Sequence, residues 1–213
     1  MIIEGGLPQL ENLLNQQLRF FLLSEREFSK IKNLLPEVLE ELEHCFSFSS
    51  NKYYRRHQDV FFSPFHSSQY CIFLYKLARK IFEEDGETIL ADKIYFLNKM
   101  MNNLDIFYGT ELPKVFFTDH PLGAVLGKAQ YGDYFSFRQG CTIGNNKGKY
   151  PRIGKHVKMW SNSKILGDCK IGDNVIISSG TYIKDQNIPA NKLVFGISPN
   201  LILKDNNFGN ITS

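Results

Sequence analysis

The sequence predicts an α+β chain: an all-α N-terminal domain followed by a parallel β-helix built from hexapeptide repeats. Three observations predict it. Apolar residues fall on a six-residue grid at Val125, Tyr131, Phe137 and Ile143, and after a break at Ile153, Met159, Ile165, Ile171, Ile177 and Ile183. In a chain that is 43% apolar, ten such hits arise by chance roughly 2 times in ten thousand. Four residues past the grid points stand small or branched residues, Ala129, Cys141, Val157, Ser163, Cys169, Val175 and Thr181, with Phe135 as the large exception. Upstream the period is helical, beginning with Leu10, Leu13, Leu14, Leu18, Phe21 and Leu22. A period of six suits neither a helix nor one long strand. It suits short strands that turn a corner every six residues, each coil burying its apolar side against the next.

The pattern divides the chain into a helical domain at residues 1–104, a coil domain at 105–204 and a flexible tail at 205–213. In the first domain, Ser24-Glu25-Arg26-Glu27 has the form of a capping box that starts a second helix. Pro36 reads as the first turn of a third piece ending at Phe46. Residues 47–68 read as a long loop rich in Ser, Tyr and Arg, a length that in a compact domain points to function. A strongly apolar helix follows from Tyr70 to Glu84. Another runs from Thr88 to Asn103, with Ile89, Leu90, Ile94, Leu97, Met100 and Met101 as its buried stripe.

Between Ile143 and Ile153 the grid is broken by four extra residues, within Gly144-Asn145-Asn146-Lys147-Gly148-Lys149-Tyr150-Pro151-Arg152. A solenoid places such insertions in loops on one face, often the binding face. Past Ile183 the period fades into a closing turn and an exit strand.

Composition narrows the function classes. A net charge of +3 does not argue for nucleic acid. Cys45, Cys71, Cys141 and Cys169 lack metal-ligand spacing and read as free thiols. No metal is expected. Neither a secretory leader nor a run long enough to cross a membrane is visible, so the expectation is a cytoplasmic protein without stable membrane insertion.

The chemistry concentrates before the first regular coil, in Thr118-Asp119-His120-Pro121-Leu122-Gly123. Imidazole titrates near neutrality and suits removal of a proton from a hydroxyl. It needs a carboxylate to fix its tautomer, and Asp105 and Asp119 are the nearby candidates.

The segment Asp119-His120-Pro121-Leu122-Gly123-Ala124-Val125-Leu126-Gly127 resembles the Asp-His-x-x-Gly-x-Val-x-Gly signature of bacterial serine acetyltransferases. Asp105-Ile106 stands at the spacing of that family's partner Asp. Phe137-Arg138-Gln139-Gly140-Cys141-Thr142-Ile143-Gly144 is similar to its Leu-Gln-x-Val-Thr-Leu-Gly coil, and Tyr75-Lys76-Leu77-Ala78 to its Tyr-Arg-Ile-Ala helix. The resemblance implies a left-handed β-helix, assembly as a homotrimer or a pair of trimers, and acetyl-CoA lying in a cleft between coils. It implies His120 as general base, Asp105 as its orienting carboxylate and Asp119 as a contact to the acceptor.

Where the family has Arg-His-Pro-Lys-Ile, this chain has Lys149-Tyr150-Pro151-Arg152-Ile153. The charge is kept and the serine-contacting His is not. Together with Ser63-Pro64-Phe65-His66, this resembles the capsule and surface-polysaccharide branch, which acetylates sugar hydroxyls. The expected function is therefore acetyl-CoA-dependent O-acetylation of a sugar or surface polysaccharide. O-acetylation of serine for cysteine synthesis, or a non-catalytic trimeric scaffold, is the alternative. Candidate acceptor contacts are Asp119, Lys149, Tyr150 and His66. Candidate acetyl-CoA contacts are Gly144, Trp160, Ser179, Gly180, Lys184, Gly196 and Lys204.

Overall fold

The computed structural model describes residues 1–86 and 88–207. The chain divides into two compact units, Met1–Asn102 and a second beginning at Asn103.

The first unit carries helices α1 (Gly6–Arg19), α2 (Glu25–Ser47), α3 (Ser67–Asp85) and α4 (Ile89–Asn102). The capping box at α2 forms: the Ser24 hydroxyl accepts from the Glu27 amide at 3.3 Å, and the Glu27 carboxylate accepts from the Ser24 amide at 2.7 Å. Three expectations need correction. Pro36 does not open a new helix but lies inside α2. Buried Leu34, Leu35, Val38 and Leu42 continue one apolar stripe past it, and that packing outweighs the hydrogen bond a proline removes. Nor is the unit all-helical. Much of the segment 47–68 is ordered as β2 (Arg55–Arg56) and β3 (Asp59–Phe62), which pairs in parallel with β1 (Ile2–Ile3). Finally, α4 exposes Ile89, Met100 and Met101 and buries Asn98 and Asn102. The two asparagines are satisfied inside, Asn98 donating to the Cys71 carbonyl and Asn102 to Asn98, both at 2.9 Å.

The second unit is the left-handed parallel β-helix, with three faces. One stacks β4 (Asp105–Ile106), β6 (Val125–Leu126), β9 (Thr142–Gly144), β12 (Lys164–Leu166) and β15 (Tyr182–Lys184). The second stacks β7 (Gln130–Tyr131), β10 (Arg152–Ile153) and β13 (Lys170–Ile171). The third stacks β5 (Phe116–Asp119), β8 (Phe135–Arg138), β11 (Lys158–Met159), β14 (Ile176–Ile177) and β16 (Lys192–Ile197). Parallel register fixes the coil at 18 residues where no insertion intervenes, as in Met159 opposite Ile177 and Ile165 opposite Ile183. Across the insertion Phe137 pairs with Met159 and Ile143 with Ile165, 22 apart.

The inward column is Phe137, Met159, Ile177 and Val194 on one face, and Leu126, Ile143, Ile165 and Ile183 on another, all buried. The six-residue grid placed Val125 inside. Val125 is 41% exposed and Leu126 takes the inward position, because Leu126 pairs with Ile143 only 17 residues on. At the corners the chain turns through left-handed residues, Tyr134, Gly140, His156, Asn162, Asn174 and Gly180. Each is followed by a buried residue: Phe135, Cys141, Val157, Ser163, Val175 and Thr181. Cys141 and Cys169 thus pack as small apolar side chains, and all four cysteines are buried and free.

The insertion is a two-residue hairpin. Asn146 and Lys149 exchange backbone hydrogen bonds of 3.1 and 2.9 Å, and Lys147 and Gly148 between them both have positive φ, the type I′ signature. The Asn146 side chain ties the hairpin to Asp185. After the last coil, β16 folds back antiparallel onto β17 (Asn200–Asp205). The expected tail thus begins inside a strand, and its residues 208–213 lie outside the described residues.

Candidate active site

The first coil builds the corner that carries His120. Strand β5 delivers Asp119 at its end, and His120 turns the chain with φ +50. The segment Pro121–Ala124 leads to β6, and residues 103–105 run alongside it. The Gly123 amide donates to the Asn103 carbonyl at 2.7 Å, and the Asp105 amide to the Ala124 carbonyl at 2.9 Å. Asp105 and His120, 15 positions apart in sequence, thereby share one corner of one coil. His120 is exposed and Asp105 half-buried, an arrangement open to a substrate.

Asp119 is held by a residue that sequence reasoning missed. Arg138 pairs with it across β5 and β8, its Nη2 3.4 Å from the Asp119 carboxylate. The Arg138 guanidinium lies 3.7 Å from the centroid of the Trp160 ring. Met159 points inward and Trp160 outward, as the alternation of a strand requires. On the same outer face Lys158 is half-buried. Burial and then the neighbouring Arg138 push its ammonium pKa down, against the pull of Asp119. A part-exposed ion pair is worth ~0.2–1 kcal/mol and an exposed cation–π contact about 0.5–1 kcal/mol. The row therefore fixes positions more than it stabilises the coil. Its one sequence signal is Arg138 itself, at the place where the resembled coil has Leu. Next to it, the Gln139 Oε1 and the Thr118 Oγ1 are buried without a hydrogen-bond partner among the described residues.

The remaining candidates lie elsewhere. Lys149 and Tyr150 line a groove of about 470 Å³ with Lys128, Gln130, Arg152 and Asp168. Lys128 stands 5.5 Å over the Tyr150 ring. Ser179 and Gly180 turn the corner two coils below His120, where the Gly180 amide donates to the Ser161 carbonyl at 3.0 Å. Lys184 lines a smaller groove of about 290 Å³ with Tyr182, Gln186 and Ser198. Gly144 ends β9, Gly196 lies in β16 and Lys204 in β17. His66 is the N-cap residue of α3 in the first unit. Among the described residues no group of three or more His, Cys, Asp or Glu side chains is placed to hold a metal ion. No described helix is long and apolar enough to cross a membrane.

The architecture defines the class, a hexapeptide-repeat β-helix, and the sequence agrees: residues 150–185 match the family model "Bacterial transferase hexapeptide (six repeats)". Within that class the chain is serine acetyltransferase-like. It is 30% identical over 141 residues to the serine acetyltransferase of Staphylococcus epidermidis, an alignment covering 64% of this chain and 65% of that protein. It is 28% identical to the Staphylococcus aureus enzyme over the same shares. The chain thus spans 65% of the length of the curated relatives it matches. Solved structures share the fold. Brucella abortus serine acetyltransferase superposes with TM-score 0.68 at 21% identity, over 84% of this chain and 74% of that one. Entamoeba histolytica isoform 3, in complex with cysteine, gives 0.63 at 24% identity, over 93% and 71%. A serine acetyltransferase in complex with CoA gives 0.65 at 16% identity, over 84% and 74%.

Proposed function

We propose that the chain is an acetyl-CoA-dependent O-acetyltransferase with L-serine as its first candidate acceptor. The observation that carries the reading is the corner shared by Asp105, Asp119 and His120. The character of its relatives, which are serine acetyltransferases, supports the choice of acceptor.

In this reading neutral His120 takes the proton from the acceptor hydroxyl, and the oxygen attacks the thioester carbonyl. The tetrahedral intermediate collapses with cleavage of the C–S bond. The imidazolium returns the proton to the departing CoA sulfur, leaving an acetyl ester and free CoA thiol. Asp105 holds the imidazole tautomer. A positioned base contributes ~10²–10⁴ in rate, and the rest comes from holding hydroxyl and thioester together. Gly144, Trp160, Ser179, Gly180, Lys184, Gly196 and Lys204 are the candidates to line the acetyl-CoA path, and the working assembly is a homotrimer or a pair of trimers.

A second reading keeps the chemistry and enlarges the acceptor to a sugar or surface glycan. Tyr150 favours it: it stands where the resembled family has a serine-contacting His, on the open groove that also holds Lys149. Thiol release from acetyl-CoA, with L-serine in one arm and monosaccharides and capsule oligosaccharides in the other, decides between them. Turnover of serine supports the first reading and turnover of glycan alone the second. Equal thiol release by wild type and His120→Ala overturns both.

A further inference from the structure

The row Asp119–Arg138–Trp160 is built on three successive coils beside the His120 corner. Arg138 is gripped from two sides, by the Asp119 carboxylate at 3.4 Å and the Trp160 ring at 3.7 Å, while its side chain keeps 38% of its surface exposed. We propose that Arg138 is the anchor for an anionic group of the acceptor, a carboxylate or a phosphate. The proposal rests on the reading of the His120 corner as the acetyl-transfer site.

Three features support it. A guanidinium carries five N–H donors in a plane. The contact to Asp119 involves one of its nitrogens, and stacking on Trp160 occupies a ring face and not the donor edge, so a donor edge remains for an oxyanion. Lys158, diagonal to Arg138 in the β8–β11 register, adds a second cation. Two cations against one carboxylate leave this face net positive. Asp119 is itself neutralised by a cation of its own chain, which weakens its claim on an ammonium group of an acceptor. The site is therefore selective for the anion of its acceptor and not for an amine. L-serine and an acidic sugar both satisfy that chemistry; a neutral sugar does not.

Trp160 is the single tryptophan of the chain, so its fluorescence reports on the stack directly. The full chain would be titrated with L-serine against L-serinamide, and with D-glucuronate and D-glucose 1-phosphate against D-glucose. The expected result is a saturable response to at least one anionic probe, at least about 10-fold tighter than to its uncharged or amidated counterpart. That preference collapses in Arg138→Leu and survives in part in Arg138→Lys. The anionic probe that binds identifies carboxylate or phosphate. Equal affinity within each pair, an unchanged preference in Arg138→Leu, or a response to CoA alone and to none of the acceptors overturns the proposal. Thiol release on the same samples separates it from the broader reading. Selective binding without acetyl transfer removes the enzymatic reading and leaves the anchor. Turnover of serinamide or glucose as fast as the anionic probes removes the anchor and leaves the enzyme.

Discussion

Gly154 turns the corner after Ile153, with the next coil directly beneath it. A Cβ built there would meet Asp173 Oδ1 at 2.4 Å, and the Asp173 nitrogen and Gly172 carbonyl carbon at 2.8 Å. Its φ lies outside the left-handed region, so Gly154→Ala isolates the close approach of two coils. Without that approach the alanine would stabilise the fold by ~0.4–1 kcal/mol through the unfolded chain. With it, either the coils part or Asp173 releases the Lys155 amide it accepts from at 2.8 Å, and overpacking of this kind costs ~1–3 kcal/mol. The two causes have opposite signs. Urea unfolding followed by Trp160 fluorescence reads the coil unit without the helices. With a slope of roughly 2 kcal/mol per molar, the midpoint is expected to fall by about 0.5–1.5 M. Adding Asp173→Ala removes the side-chain clash and leaves the backbone one, so recovery is partial. A midpoint that rises in Gly154→Ala refutes the account of why this repeat carries Gly.

Three other outcomes follow from the same geometry. Ile165→Ala opens a cavity in the fully buried inward column and is expected to cost ~2–5 kcal/mol, read in the same urea titration; a loss under 1 kcal/mol would place Ile165 outside the core. At α2, burial pushes the Glu27 carboxyl pKa up, but hydrogen bonds from Lys93 and the Ser24 backbone outweigh it and hold the value below the usual carboxylate range. Its stabilising contribution is therefore present above the unfolded-state pKa and lost as pH falls through the lower folded value. Ser24→Ala should cost about 1 kcal/mol at neutral pH, and Glu27→Gln should flatten the acid limb of helical circular dichroism; an unchanged acid limb would contradict the assignment. Tyr150→His is expected to raise kcat/KM for L-serine if the groove at Lys149 and Tyr150 contacts the acceptor, and to leave it unchanged if it does not.

The coil was legible because its inward residues must repeat: Ile153 to Ile183 kept step while the backbone added 18 residues per turn. It was misread at Val125 because the first coil is one residue short, a fact of register that composition does not carry. The segment 47–68 was misread because its strands are short and β3 pairs with Ile2 and Ile3 from the far end of the unit, beyond any local pattern. Met100 and Met101 were placed inside and Asn98 and Asn102 outside because hydropathy does not register a buried amide whose donors are satisfied. At the site, Asp105 and His120 were visible through resemblance. Arg138 and Trp160 were not seen as a pair, since they meet only when parallel pairing brings residues 22 positions apart side by side.

The central claim is that His120 takes the acceptor's proton. Its most direct test is pre-steady-state thiol release by wild type and His120→Ala, with acetyl-CoA affinity measured by calorimetry on both. The account predicts a fall in acetyl transfer of ~10²–10⁴ with acetyl-CoA affinity unchanged. Transfer at the wild-type rate by a His120→Ala protein that still binds acetyl-CoA would contradict it.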